Sequence, residues 1–203
     1  MKRYYISYNE VRNNAIKISH VIASHGFIPD IIYVNLRGGA YTGNVISEYF
    51  KIVTACAPSP VFYAAVVARS YQADKQMRDI IIDGWTYHPD RLNPRDKVMI
   101  VDDIYDSGRT MQHMVEIIRD RGIPRENIKV VVHDYKIREY GKKLKVIPDY
   151  YCRKFSVNNP ENDFWIHYLS HELENLSERD IIQHYPPQLH DILIDLIKQS
   201  TKE

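Results

Sequence analysis

Four short apolar runs, rich in β-branched residues, alternate along this chain with segments of helical periodicity. The runs cover residues 30–36, 61–68, 97–101 and 128–132, and the helical patterns cover residues 9–25, 42–51 and 111–122. An uninterrupted apolar run of this length is typical of a strand that helices cover on both faces, as in parallel sheets. The sequence therefore predicts an α/β fold, with a mostly parallel twisted sheet flanked by helices.

The C-terminal region has a different pattern. Residues 177–200 form two helical pieces that are separated by two adjacent prolines, and the second piece carries an apolar stripe. The polar stretch between the second and third apolar runs contains one further strand, at residues 79–83. We therefore expect a main domain over residues 1–176 and a C-terminal helical extension over residues 177–203.

Charge and cysteine content set limits on the partners and the compartment of the protein. Lys and Arg number 27 against 26 Asp and Glu, for a net charge of +1, and this balance argues against a nucleic-acid partner. Cys56 and Cys152 form no close pair, which indicates a reducing compartment rather than a disulfide framework or a cysteine-based zinc site. Because no stretch has the pattern of a signal peptide or a membrane span, we expect a cytoplasmic protein without a membrane partner.

The most informative segment, VDDIYDSGRT at residues 101–110, joins the third apolar run to a helix. It places Asp102 and Asp103 at the carboxyl end of a predicted strand, where ligands bind in open α/β sheets. Their carboxylates suit two sugar hydroxyls or a hydrated Mg²⁺, and Asp106 in the turn suits proton transfer. Helix N-termini with free N–H groups bind anions, and the turn here is Ser107, Gly108, Arg109 and Thr110. A simpler interpretation, in which Asp106 or Ser107 caps the helix, explains single residues but not the whole segment.

This segment resembles the phosphoribosyl-pyrophosphate (PRPP) motif of type I phosphoribosyltransferases, whereas a Walker A loop and a Gly-x-Gly-x-x-Gly motif are absent from the sequence. The resemblance implies that Asp102 and Asp103 bind the ribose 2′ and 3′ hydroxyls and that the loop 106–110 surrounds the 5′-phosphate. It implies a Mg²⁺ ion that arrives with PRPP, with Asp102, Asp103 and, through water, Asp163 as its ligands. It further implies a small hood, formed by N-terminal residues and residues 137–176, and a homodimer or higher homo-oligomer.

A glycine pair follows the first apolar run, in the segment Leu36, Arg37, Gly38 and Gly39. Two glycines let backbone amides approach an anion closely, and Arg37 adds positive charge. The segment is similar to the pyrophosphate loop of the family, in which the bond corresponding to Leu36–Arg37 is often a cis peptide. A tight turn is the alternative interpretation.

Ser70 and Tyr71 follow the second apolar run and open a long polar stretch. A stretch of this length inside a compact domain is often functional. The Ser-Tyr pair is similar to the start of the mobile catalytic lid in the 6-oxopurine members of the family, where a lid excludes water from the reacting centre. An ordinary surface hairpin is the alternative.

The base-binding end follows the fourth apolar run. In the 6-oxopurine members of the family, a lysine donates to purine O6, a downstream aromatic residue stacks on the base, and the backbone of the next residue meets the base edge. The resemblance gives these roles to Lys136, Trp165 and Ile166, with Asp163 near the base or the metal. The alternatives are a solvated surface lysine and a core tryptophan. Residues 167–172 depart from the pattern of the family.

The resemblance implies transfer of the 5-phosphoribosyl group from PRPP to hypoxanthine, guanine or xanthine. The products are a nucleoside 5′-monophosphate and pyrophosphate, as in purine salvage, and Asp106 is the expected general acid or base near purine N7. A phosphoribosyltransferase for uracil, orotate or adenine is one alternative. A regulatory protein that senses PRPP or a nucleotide on the same fold is another, and the divergent residues 167–172 favour it.

Overall fold

The structure, a computed structural model, describes residues 2–70, 80–141 and 145–200. Its strands are β1 (Lys2–Ile6), β2 (Ile31–Leu36), β3 (Phe62–Ser70), β4 (Ile80–Trp85), β5 (Val98–Tyr105), β6 (Ile128–Arg138), β7 (Tyr150–Val157) and β8 (Phe164–Tyr168). Its α-helices are α1 (Tyr8–Ser24), α2 (Ala40–Val53), α3 (Arg109–Arg119), α4 (Glu178–His184) and α5 (His190–Ser200). The chain divides into two compact units: the larger runs from Asn9 to Asp163, and the smaller contains β1, β8, α4 and α5. No helix in the described ranges has the length and apolar character that a membrane span needs.

The larger unit is built on a six-stranded sheet with the order β4-β3-β2-β5-β6-β7. Neighbouring strands are parallel except β3 and β4, which pair antiparallel. The predicted α/β fold with a mostly parallel sheet is thus confirmed. From β2 the chain proceeds to β3 on one side, and from β5 it proceeds to β6 and β7 on the other, so the strand order reverses between β2 and β5. Ligands of open α/β sheets bind at such a switch point, beside the carboxyl ends of the strands.

Apolar side chains cover both faces of this sheet, as the uninterrupted apolar runs predict. In β5, Ile100 packs in the cluster that includes the residues of α3, and Val101 packs in the cluster that includes those of α1 and α2. The helix residues predicted to be buried are buried: Val11, Ala15, Ile18 and Ile22 in α1, and Met111, Met114, Val115 and Ile118 in α3. Each large aliphatic side chain buried in this way contributes roughly 1.5–3 kcal/mol, so the ends of β2 and β5 are fixed by a well-packed core.

The smaller unit pairs β1 and β8 in parallel. One of its buried apolar clusters is formed by Leu176, Ile181 and Leu193. Ser177 and Asp180 form a capping box at the start of α4, which satisfies backbone N–H groups that the first helical turn leaves free. The C-terminal helical extension predicted from residue 177 thus consists of two helices in the described residues, and it belongs to the same unit as β1 and β8.

Three strands, β1, β7 and β8, are not predicted by the sequence pattern. β7 is an edge strand that pairs with β6, and its residues are half-buried or exposed until Val157. β1 and β8 form a sheet of two strands. β7 is half-exposed and rich in polar residues, and β1 and β8 have only five residues each, so these strands lack the long apolar run on which a sequence-based prediction depends.

Candidate functional site

The loops after β2 and β5 meet at the switch point of the sheet. Gly38 approaches Asp103 so closely that a Cβ atom on residue 38 would lie 2.5 Å from Cγ of Asp103. A Cβ atom on Gly39 would lie 2.8 Å from the carbonyl oxygens of Asn35 and Val101. Only glycine fits at these two positions without displacing its neighbours. The structure therefore brings the predicted pyrophosphate loop against the predicted carboxylate pair.

The other predicted residues of these two loops lie beside the glycines or at the start of α3. Leu36 is the last residue of β2, and the peptide bond between Leu36 and Arg37 is cis, as the resemblance implies. Ser107 lies in the turn after β5, and Arg109 and Thr110 begin α3.

Asp102 belongs to the carboxylate pair at the end of β5, and both members of that pair are buried. Its Oδ2 accepts a hydrogen bond from Nδ2 of Asn35 at 2.7 Å, and its Oδ1 accepts one from the backbone N–H of Asp103 at 3.0 Å. Burial, together with the negative charge of Asp103, raises the pKa of Asp102 well above its ordinary value. Asn35 is not among the predicted site residues. The signal for it is a single amide inside an otherwise apolar strand.

Replacing Asp102 with asparagine is expected to stabilise the folded chain. Because the pKa of Asp102 is raised on folding, its carboxylate destabilises the folded state at high pH, and this penalty is lost below about pH 4, where both states are protonated. Asparagine removes the charge and can still accept the hydrogen bond from Asn35, while its NH₂ group replaces the oxygen that accepts from the backbone N–H of Asp103. We expect the Tm at pH 8 to rise by about 2–4 °C, the shift that about 1 kcal/mol gives in a chain of this size. Thermal unfolding at several pH values measures the gain, and a gain that persists undiminished at pH 4 would contradict this account.

Two helices begin beside these loops, and no described side chain caps either N-terminus. α2 begins after Gly39, and α3 begins after Gly108, whose φ is +73°. A Cβ atom on Gly108 would collide with the ring of Tyr105, so glycine is required there for space as well as for conformation. The alternative in which Asp106 or Ser107 caps α3 is therefore wrong. Free N–H groups and the positive end of the helix dipole make both N-termini suitable for anions.

Lys136 lies near the end of β6 among carboxylates. It is only 3% exposed, its Nζ forms an ion pair with Asp163, and the same atom lies 3.7 Å from Oδ1 of Asp106. Arg138 contacts the same two acids: its Nη1 lies 2.6 Å from Oδ1 of Asp106, and its Nε donates to Oδ2 of Asp163 at 2.8 Å. The hydroxyl of Tyr140 also donates to Oδ2 of Asp163, at 3.0 Å. The alternative of a solvated surface lysine is therefore wrong for Lys136.

Arg138 and Tyr140 are not among the predicted site residues. The signal for Arg138 is the two-residue period of a strand, which puts residues 136 and 138 on one face. Burial lowers the pKa of Arg138, but the hydrogen bonds and charges of Asp163 and Asp106 outweigh burial and raise it overall. The guanidinium is thus a fixed positive charge between two carboxylates.

Trp165 and Ile166 lie in β8, within the smaller unit. Trp165 is 51% exposed, and its Nε1 donates to Oε2 of Glu172 at 2.9 Å, whereas Ile166 is buried. The alternative of a core tryptophan is therefore wrong, and an exposed indole face suits stacking. Glu172 is not among the predicted site residues, because it falls in the segment 167–172 that departs from the family pattern.

The predicted lid begins at the end of β3. Ser70 is the last residue of that strand and is paired in antiparallel register with Ile80 of β4. Tyr71 lies outside the described residues. The pairing of β3 and β4 is compatible with the surface hairpin that the sequence offers as the alternative, and the lid stays a prediction.

The donor set at the switch point fits a magnesium ion. Asp102 and Asp103 offer carboxylate oxygens, and Oδ1 of Asn35 is buried without a hydrogen-bond partner among the described residues. Mg²⁺ prefers oxygen ligands and keeps several of its waters. Asp163 is a weaker choice, because its two carboxylate oxygens already receive Lys136 and Arg138.

Comparison with known proteins gives the family of the chain. The family model for the phosphoribosyl transferase domain matches residues 4–168, and the chain belongs to that family. Phosphoribosyl transfer is the class of activity that this membership supports. No match was found among curated proteins.

Several solved structures share the fold. The purine phosphoribosyltransferase from Pyrococcus horikoshii has a TM-score of 0.63 and 20% identity, over 87% of this chain and 99% of that chain. A hypothetical protein from Neisseria gonorrhoeae with bound ppGpp has a TM-score of 0.62 and 17% identity, over 96% and 97%. The Helicobacter pylori xanthine-guanine-hypoxanthine phosphoribosyltransferase has a TM-score of 0.56 and 13% identity, over 90% and 98%. At these identities the likeness shows the fold.

Proposed function

We propose that the protein transfers the 5-phosphoribosyl group of PRPP to a 6-oxopurine base, as in purine salvage. The observation that carries the proposal is the buried ammonium of Lys136, which lies 3.7 Å from the carboxylate of Asp106. A buried cationic donor recognises a carbonyl oxygen such as purine O6. Adenine carries an amino group at the position of O6. Because this amino group and the ammonium of Lys136 are both hydrogen-bond donors, Lys136 disfavours adenine.

The loops at the switch point bind PRPP in this proposal. The free N–H groups at the start of α3, with the hydroxyls of Ser107 and Thr110, hold the 5′-phosphate. The carboxylates of Asp102 and Asp103 accept hydrogen bonds from the ribose 2′ and 3′ hydroxyls. A Mg²⁺ ion bound with PRPP by these same carboxylates supplies positive charge to the pyrophosphate group. The two glycines of the β2 loop let backbone N–H groups approach the pyrophosphate, and Arg37 adds a cation.

The reaction exchanges one bond at the ribose for another. The bond between C1′ and the pyrophosphate oxygen breaks, pyrophosphate leaves with the electron pair, and purine N9 forms the new bond to C1′. Arg37 and the loop N–H groups stabilise the charge on the leaving group. Asp106 accepts, at the N7 side of the base, the proton that the purine loses. From the resemblance to the family, we expect Trp165 to stack on the base and the backbone of Ile166 to meet its edge.

The test measures pyrophosphate release from PRPP and Mg²⁺ with hypoxanthine, guanine, xanthine, adenine and uracil. We expect turnover with at least one 6-oxopurine and none with adenine or uracil. Turnover with adenine or uracil alone would contradict the roles of Lys136 and Trp165. If none of the five bases is used but calorimetry shows PRPP binding, the result would favour the alternative of a regulatory protein that senses PRPP.

Assembly and location belong to the same proposal. We expect a cytoplasmic homodimer or higher homo-oligomer, in keeping with the resemblance to the family. Light scattering on the purified protein measures its mass in solution, and cell fractionation measures its location.

A further inference from the structure

The four charged residues at the end of β6 form what we call the base-end cluster: Asp106, Lys136, Arg138 and Asp163. Arg138 and Lys136 each contact both acids, but they do so differently. Nη1 of Arg138 forms an ion pair with Oδ1 of Asp106 at 2.6 Å, whereas Nζ of Lys136 lies 3.7 Å from that oxygen. Arg138 is therefore the residue of this cluster that holds Asp106 directly.

The shape of the guanidinium explains how one residue holds two acids. Nε and Nη1 of Arg138 point to different carboxylates, with Nε 2.8 Å from Oδ2 of Asp163. A rigid planar fork can make two such contacts at once, whereas an ammonium group is a compact point charge. Asp163 in turn pairs with Lys136 through its other oxygen, Oδ1. Arg138 thus connects the two acids, and Lys136 joins the same set of contacts through its ion pair with Asp163.

The contacts on Asp106 also distinguish its two oxygens. Among the described residues, both cations of the base-end cluster contact Oδ1. Asp106 is partly exposed, with 37% of its side-chain surface accessible, in contrast to 4% for Lys136. An acid that is held by one oxygen and faces solvent on its accessible side can present the other oxygen in a fixed direction.

From this geometry we propose that Arg138 is a positioning residue. It fixes Oδ1 of Asp106 so that Oδ2 meets the proton of the base, and it holds Asp163 so that Lys136 keeps its place, a role that rests on the proposed function. Arg138 itself touches neither the base nor PRPP in this assignment. Its loss is expected to affect turnover and base binding, and to leave PRPP binding nearly unchanged.

The test compares Arg138→Met, which keeps an unbranched apolar stem and removes the guanidinium, with Arg138→Lys and with a matched control. The control is Arg121→Met, which removes an exposed arginine paired with Asp90 through a 2.7 Å contact. We expect Arg138→Met to lower kcat by about 100-fold, the loss that a displacement of about 1 Å can cause. The KM for the base should rise, and the Kd for PRPP should stay within about threefold. Arg138→Lys should recover part of kcat, and Arg121→Met should leave all three quantities unchanged.

An unchanged kcat in Arg138→Met would overturn the assignment, as would equal losses in kcat and PRPP affinity, which indicate a general structural role. Crystal structures of the wild-type and Arg138→Met proteins test the positioning role of Arg138 even if the wild-type protein uses none of the bases. We expect the Asp106 carboxylate to move by about 1 Å or more once Arg138 is gone. An Asp106 carboxylate that keeps its position would overturn the positioning role, whatever the activity. Absence of turnover in the wild-type protein would contradict the proposed function alone.

Discussion

Replacing Asp106 with alanine is expected to lower kcat by about 10²–10⁴-fold, the contribution that a positioned general acid or base makes. Affinity for PRPP should change by less than about threefold, because the proposed PRPP contacts are made by other residues. Asp106 lies next to two cations, Lys136 and Arg138, so its carboxylate is held at the base end. Steady-state kinetics with each 6-oxopurine, together with calorimetric titration of PRPP, measure the two effects separately.

Two further variants control this experiment. Asp106→Asn keeps the volume of the side chain and removes its charge, and it should lose nearly as much turnover as Asp106→Ala. Asp90→Asn removes an exposed carboxylate that is paired with Arg121, and it should leave kcat unchanged. Equal losses in kcat and in PRPP affinity would count against Asp106 as the group that handles the proton.

Gly38→Ala is expected to weaken PRPP binding by at least about 100-fold, which corresponds to about 2.7 kcal/mol. The added methyl group would lie 2.5 Å from Cγ of Asp103, far inside van der Waals contact. Asp103 would have to rotate away, and its Oδ1 would lose the hydrogen bond that it accepts from the backbone N–H of Ile104 at 2.8 Å. The substitution therefore removes a proposed ribose ligand and blocks the approach of the loop to the pyrophosphate. PRPP titration by calorimetry measures the loss.

The matched control is Gly84→Ala in β4, because nothing lies within 4 Å of a Cβ atom at that position. This variant should bind PRPP with wild-type affinity. Thermal unfolding of Gly38→Ala, measured beside the wild-type protein, shows whether the variant is folded under the conditions of the titration. If Gly38→Ala binds PRPP normally while folded, the glycine loop does not form the pyrophosphate site.

The sequence pattern predicts the central strands well because each of them carries an uninterrupted apolar run. β2 and β5 are buried on both faces, so nearly every position must be apolar, and the exceptions, Asn35, Asp102 and Asp103, all lie at the site. β7 shows the opposite case. β7 is an edge strand that includes Arg153 and Lys154, and its alternation does not separate it from a loop in sequence alone.

The parts of the candidate site that the sequence does not predict depend on contacts between distant segments. Asn35 and Asp102 are 67 positions apart, and Arg138 and Asp163 are 25 positions apart. Whether such side chains meet is decided by strand order and register, which a local pattern cannot give. A loop glycine is easier to predict when its reason is local: Gly108 has a positive φ and faces Tyr105 of the same turn, whereas Gly38 faces Asp103 of another strand.

The strand β6 serves two tasks along its length, and this division has an evolutionary consequence. Its first half supplies core residues such as Val130 and Val132, and its end supplies Lys136 and Arg138. Gain or loss of one residue between Val132 and Lys136 would turn the end of the strand over and move Lys136 and Arg138 to the opposite face of the sheet. The core half would keep its register, and so would β2 and β5. A single codon inserted or deleted here is therefore expected to remove both cations from the proposed base site in one step, while β2 and β5 keep the residues proposed for PRPP.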